Sequence, residues 1–155
     1  MALDQAALKA SLLDIATNHP GTRGAAAQRW AQAYGDYAAA GRSTIGGVPN
    51  VSGATATLAS VLAGAFESND AAPAMSAGFV AFWFAPPAAF AGAFPGVVTA
   101  IGAGPDLAGV FRRNIDSKAS SDAACAAIAA ELHAFTLTVI ITTATTPTPT
   151  VGPIL

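Results

Sequence analysis

The chain has 155 residues and a single cysteine, Cys125, so it can form one domain with a full core but no intrachain disulfide. Only 10% of its residues are charged, against about 25% in typical soluble domains, while 53% are hydrophobic. We therefore expect partner proteins to cover much of its surface, because so few charges protect a free monomer poorly against association. The formal net charge of -2 argues against nucleic-acid binding, which depends on clustered lysine and arginine.

Apolar residues at helical spacing predict a mainly α fold, a compact bundle of five to six short helices. Capping residues and helix breakers separate the segments, among them Thr22, Gly41 and either Ser120 or Ser121. The predicted helices cover residues 3–17, 23–40 and 54–67, a segment from Asn69 or Asp70 to Trp83, a short helix that begins after residues 104–106, and residues 122–134. The large side chains expected in their core are Trp30, Leu58, Leu62, Phe66, Phe79, Val110 and Phe111.

The middle of the chain has no charged residue between Asp70 and Asp106. A membrane-spanning helix needs about 20 consecutive apolar residues, and prolines cut this interval into shorter pieces. We therefore expect its aromatic residues to be buried or to face a partner, with a membrane-active, lysis-type protein that uses residues 71–105 as the alternative. Residues 88–104 are rich in alanine, glycine and proline and match no regular pattern.

After the sixth helix, residues 135–141 predict a β-strand, because successive positions alternate between two sets with a period of two. The backbone of such a strand needs partners, which residues 45–51, residues 97–101, another copy or another protein could provide. From residue 144 onwards, repeated threonine and proline predict an extended arm. The chain is thus predicted to consist of a helical domain, residues 1–134, and a C-terminal strand and arm, residues 135–155.

Residues that perform catalysis or bind metals are sparse and scattered. His19 and His133 have no cysteine or carboxylate neighbour at ligand spacing, and Cys125 does not share a helix face well with His133. The acidic residues are spread along the chain, and the glycine pairs lack the lysine of a phosphate-binding loop. We therefore predict a protein that is not an enzyme and has no catalytic residue, metal site or cofactor.

Three stretches carry a resemblance to a known class of proteins. The AAAQRWAQAYGDYAAAG segment of the second helix, the uncharged alanine- and glycine-rich middle and the VIITTATTPTPTVGPIL ending resemble small virion proteins encoded among the tail and neck genes of tailed bacteriophages. The resemblance implies a structural subunit present in several copies in the virion, in the tail or the head-tail neck. The first residues lack a basic segment followed by an apolar core, so we expect no signal peptide and synthesis in the host cytoplasm.

The contacts expected of such a subunit involve its C-terminal strand and arm. A strand with open ladder edges should accept a strand from a neighbour, and apolar residues at the tip of the arm should anchor it there. The expected partners are further copies of the chain and other virion structural proteins, with no specific nucleic acid and no membrane. The predicted interface residues are Phe135, Leu137, Val139, Ile141, Val151, Ile154 and Leu155.

Overall fold

The computed structural model describes residues 3–42, 48–84, 90–91, 96–143 and 151–155, and these ranges contain six helices and five strands. The helices are α1 (Gln5–Thr17), α2 (Arg23–Ala40), α3 (Ser52–Glu67), α4 (Ala71–Phe84), α5 (Leu107–Asp116) and α6 (Ser121–Thr136). The strands are β1 (Val48–Pro49), β2 (Phe90–Ala91), β3 (Gly96–Ala100), β4 (Ile140–Thr143) and β5 (Val151–Pro153). The mainly helical fold predicted from the sequence is confirmed.

Side-chain caps fix where most of the helices begin. Asp4 accepts hydrogen bonds from two backbone N–H groups in the first turn of α1, at 2.9 and 3.1 Å. Thr22, Asp106 and Ser120 cap α2, α5 and α6 in the same way. Each cap satisfies an N–H group that has no acceptor within its own helix. Short-range signals of this kind are why the boundaries of α2 match the predicted ones.

Close contacts between small residues bring the helices together. α3 packs against both α2 and α4, and α6 packs against α1. Gly35 of α2 faces Thr55 of α3, and an added Cβ there would overlap the threonine side chain. On the other side of α3, a Cβ on Gly78 of α4 would lie 2.9 Å from Cγ1 of Val61. These two glycines therefore set how closely α3 approaches its neighbours.

The core contains most of the aromatic side chains whose positions the structure describes. Tyr34, Phe79, Phe82 and Trp83 are buried together, so three of the four aromatic residues of α4 point into the chain itself, one of the two environments expected for them. Among the seven predicted core residues, four are buried and three lie partly buried against the core. The first group is Leu58, Leu62, Phe79 and Val110, and the second is Trp30, Phe66 and Phe111.

The five strands form one antiparallel sheet in the order β1-β2-β3-β4-β5. β4 pairs with β3 on one side and with β5 on the other, so both of its edges are occupied within the chain. The prediction that the C-terminal strand leaves an edge for a neighbour is therefore wrong. Of the two intrachain partners considered, residues 97–101 largely supply β3, whereas Val48–Pro49 pairs with β2 instead.

The predicted strand over residues 135–141 is wrong in its first part. Phe135 and Thr136 continue α6, and β4 begins only at Ile140. Leu132, Phe135 and Thr136 fall at spacings of three and four residues, and all three side chains are buried on one side of the helix. A short run of apolar residues and threonines is compatible with the period of a helix and with that of a strand. Here the burial of these side chains in the core stabilises the helix.

The end of the predicted arm folds back onto its own chain. Leu155 and Arg42 exchange two backbone hydrogen bonds, at 2.9 and 3.0 Å, and Ile154 is fully buried. Residues 144–150 of the arm lie outside the described residues. The division of the chain into residues 1–134 and 135–155 stays a prediction, although one sheet joins β3 to the two strands that follow α6.

Candidate assembly surface

The structure separates the seven predicted interface residues into two groups. Leu137 and Leu155 are exposed, at 40% and 53% of their surface, and Val151 pairs through its backbone with Thr142. The other residues support the core of their own chain, and a neighbour cannot reach them while that core is intact. These buried residues are Phe135, Val139, Ile141 and Ile154.

The inner face of the sheet explains why part of the predicted interface is buried. Ile141 lies at the centre of this face, opposite Val98 of β3 and Gly152 of β5, and is fully buried. Gly96 lies close by, where a Cβ would come within 2.6 Å of Cγ2 of Ile141. Side chains on the neighbouring positions of each strand must therefore point to the opposite side of the sheet.

That opposite side is exposed. The register pairs Val97 with Thr142 and Ile140 with Pro153, which places all four on one face. Val97 is 57% exposed and Ile140 is 36% exposed. We call this surface the outer face, and its residues are Val97, Thr99, Ala100, Ile140, Thr142, Pro153 and Leu155.

A β-bulge widens the outer face on β3. The register shifts between Val98 and Ala100, so Ala100 pairs with Ile140 although Val98 pairs with the adjacent Ile141. Both Thr99 and Ala100 are exposed as a result. The bulge therefore adds one more small side chain to the exposed side of the sheet.

Exposed large hydrophobic side chains concentrate at this surface. Six such residues occur in the ranges that the structure describes, three of them on the outer face and a fourth, Leu137, shortly before β4. Scattered exposed hydrophobic residues are normal in soluble proteins, whereas contiguous ones are typical of interaction sites. The six residues are Phe84, Val97, Ile115, Leu137, Ile140 and Leu155.

The polar groups of the outer face are suited to burial. None of its residues carries an ionisable side chain. The hydroxyl oxygens of Thr99 and Thr142 lie 2.8 Å apart across β3 and β4, so each hydroxyl already has a hydrogen-bond partner within the chain. Covering this surface would therefore leave neither hydroxyl without a partner.

Sequence reasoning did not assign Val97 or Ile140 to an interface. Both belong to segments with a strand signal. Val97 begins the weak strand over residues 97–101, and Ile140 belongs with the threonines to the less apolar of the two alternating sets. The alternation predicts two faces, and hydrophobicity favours the more apolar set as the contact face. In the structure, Phe135, Val139 and Ile141 of that set are buried, whereas Thr138 and Ile140 of the other set are exposed.

The residues weighed for catalysis occupy structural positions. Nδ1 of His133 lies 2.6 Å from the hydroxyl oxygen of Tyr37, which is buried. Cys125 is buried in α6, and its burial, followed by the negative charge of Asp122, raises the pKa of the thiol above its usual value. Within the ranges that the structure describes, no group of three or more histidine, cysteine, aspartate or glutamate residues is arranged to hold a metal ion.

An open groove of about 780 Å³ runs between α2 and α3. Small and uncharged side chains form most of its lining, and its arginine, Arg29, is engaged by the Asn18 carbonyl and the Asp14 carboxylate. The groove therefore has no free charged group placed for catalysis. Among the helices that the structure describes, none combines the length and the apolar character that a membrane span requires.

Comparison of the chain with protein-family models, with curated proteins and with solved structures gave no match. The interpretation of the outer face therefore depends on the residues of this chain alone.

Proposed function

We propose that this chain is a non-enzymatic structural subunit of a tailed-bacteriophage virion, present in several copies in the tail or the head-tail neck. The observation that carries this proposal is the outer face, whose residues have no ionisable side chain and include three exposed large hydrophobic ones. The subunit would meet further copies of itself and other virion proteins through this face.

Burial of the outer face is favourable because its large side chains are only partly covered in the single chain. Full burial of a valine, leucine or isoleucine contributes about 1.5 to 3 kcal/mol relative to full exposure, and Val97, Ile140 and Leu155 start at 57%, 36% and 53% exposure. Each would therefore contribute a part of that range. In a particle the same contribution is repeated at every equivalent contact, which favours regular assembly.

Two features of the whole chain support a virion role. The first is the charge content of 10%, which suits a protein whose surface is covered for most of its existence. The second is the resemblance of the second helix, the uncharged middle and the threonine- and proline-rich ending to small tail and neck proteins. The proposed location is the virion, after synthesis in the host cytoplasm.

The test is to quantify the chain in purified particles of the phage that encodes it. Mass spectrometry with isotope-labelled reference peptides should find several copies per particle, enriched together with known virion proteins. A phage enzyme that remains in the host lysate serves as the control for contamination. Absence of the chain from purified particles, although it is abundant in the lysate, would contradict the proposal.

A further inference from the structure

We draw no further inference here: the strongest candidate, the outer face of the sheet formed by β3, β4 and β5, belongs to the assembly surface already described, and nothing in the structure shows what covers it.

Discussion

At the scale of single residues, the hydroxyl of Tyr34 organises the polar contacts of the core. Nε1 of Trp83 donates to this hydroxyl at 2.9 Å, and the hydroxyl lies 2.8 Å from Oγ1 of Thr136. An indole nitrogen can only donate, and Thr136 uses its own hydrogen on the carbonyl of Leu132 at 2.7 Å. Tyr34 must therefore donate to Thr136. The result is one directional chain of hydrogen bonds that joins α4, α2 and α6.

The surroundings of Tyr34 hold its ring as firmly as its hydroxyl. Its centroid lies 4.8 Å from that of Phe79 and 5.0 Å from that of Phe82, both in edge-to-face geometry. Such aromatic pairs contribute about 0.5 to 1.5 kcal/mol beyond the burial of their area. Loss of the hydroxyl would leave the Trp83 N–H buried without an acceptor, at a cost of about 1 to 3 kcal/mol.

Burial of both tyrosines predicts how the protein responds to alkaline pH. Desolvation raises the pKa of Tyr34 and of Tyr37 well above the ordinary value of about 10, and for Tyr37 the neighbouring Tyr34 adds to the effect. The folded state then holds these protons more tightly than the unfolded state. Their contribution to the free energy of unfolding is complete below pH about 10 and is lost as the pH rises towards the folded-state pKa values.

The chain contains only these two tyrosines, so their ionisation can be followed directly by the ultraviolet absorbance of tyrosinate. In a titration above pH about 10, we expect tyrosinate to form together with the loss of helical circular dichroism. Formation of tyrosinate near pH 10, while the helical signal is unchanged, would show that the two hydroxyls are accessible in the folded chain.

At the scale of secondary structure, α3 depends on glycines of its neighbours. Gly78 of α4 packs against Val61 and Leu58, whose nearest atoms would lie 2.9 and 3.3 Å from an added Cβ. Valine has little rotamer freedom in a helix, so the backbone would have to move. Gly64 of α3 is different, because it is exposed and has nothing within 4 Å of an added Cβ.

These two helical glycines form a matched pair for mutation. Gly78→Ala should lower the free energy of unfolding by about 1 to 3 kcal/mol, because overpacking outweighs the better helix propensity of alanine. Gly64→Ala should raise it by about 0.5 to 1 kcal/mol, since only propensity changes. Urea denaturation measures both. If Gly78→Ala stabilises the protein as much as Gly64→Ala does, α3 and α4 do not approach each other as closely at Gly78 as described here.

Helices were predictable from the sequence where local chemistry fixes their ends. Thr22 and Gly41 lie at the two ends of α2, and Ser120 caps α6. Each of these residues forms its capping hydrogen bond with the adjacent turn of the helix. Strands were harder to predict because their partners are distant in sequence. β3 has only a short β-branched run, residues 97–99, within a segment otherwise rich in alanine and glycine, and its pairing with β4 could not be predicted from that run alone.

At the scale of the whole molecule, the sheet connects distant parts of the chain. Leu3, which precedes the cap of α1, the end of α2 and the last residues meet at Gly41. An added Cβ on Gly41 would lie 2.8 Å from Leu3 and 3.1 Å from Ile154. The apolar tip of the arm, predicted as an anchor on a neighbour, thus closes the fold of its own chain through Ile154. Leu155 beside it remains exposed on the outer face.

The candidate site was only partly predictable for the same reason. Alternation in residues 139–142 separates side chains that are covered from those that are more exposed. It does not say whether the cover comes from the same chain or from another. Val139 and Ile141 are covered by their own chain, which leaves Ile140 and the residues around it as the surface for a partner.

The most direct test of this assembly surface is a competition for entry into particles. Ile140→Lys places a charge on the outer face, and Ile115→Lys places the same charge at another exposed isoleucine. Each variant is co-expressed with the wild type during infection, and mass spectrometry compares the ratio of variant to wild type in purified particles with the ratio in the lysate. We expect Ile115→Lys to enter particles in proportion to its abundance and Ile140→Lys to be depleted at least tenfold, equivalent to about 1.4 kcal/mol. Equal entry of the two variants would contradict the assignment of the outer face as the assembly surface.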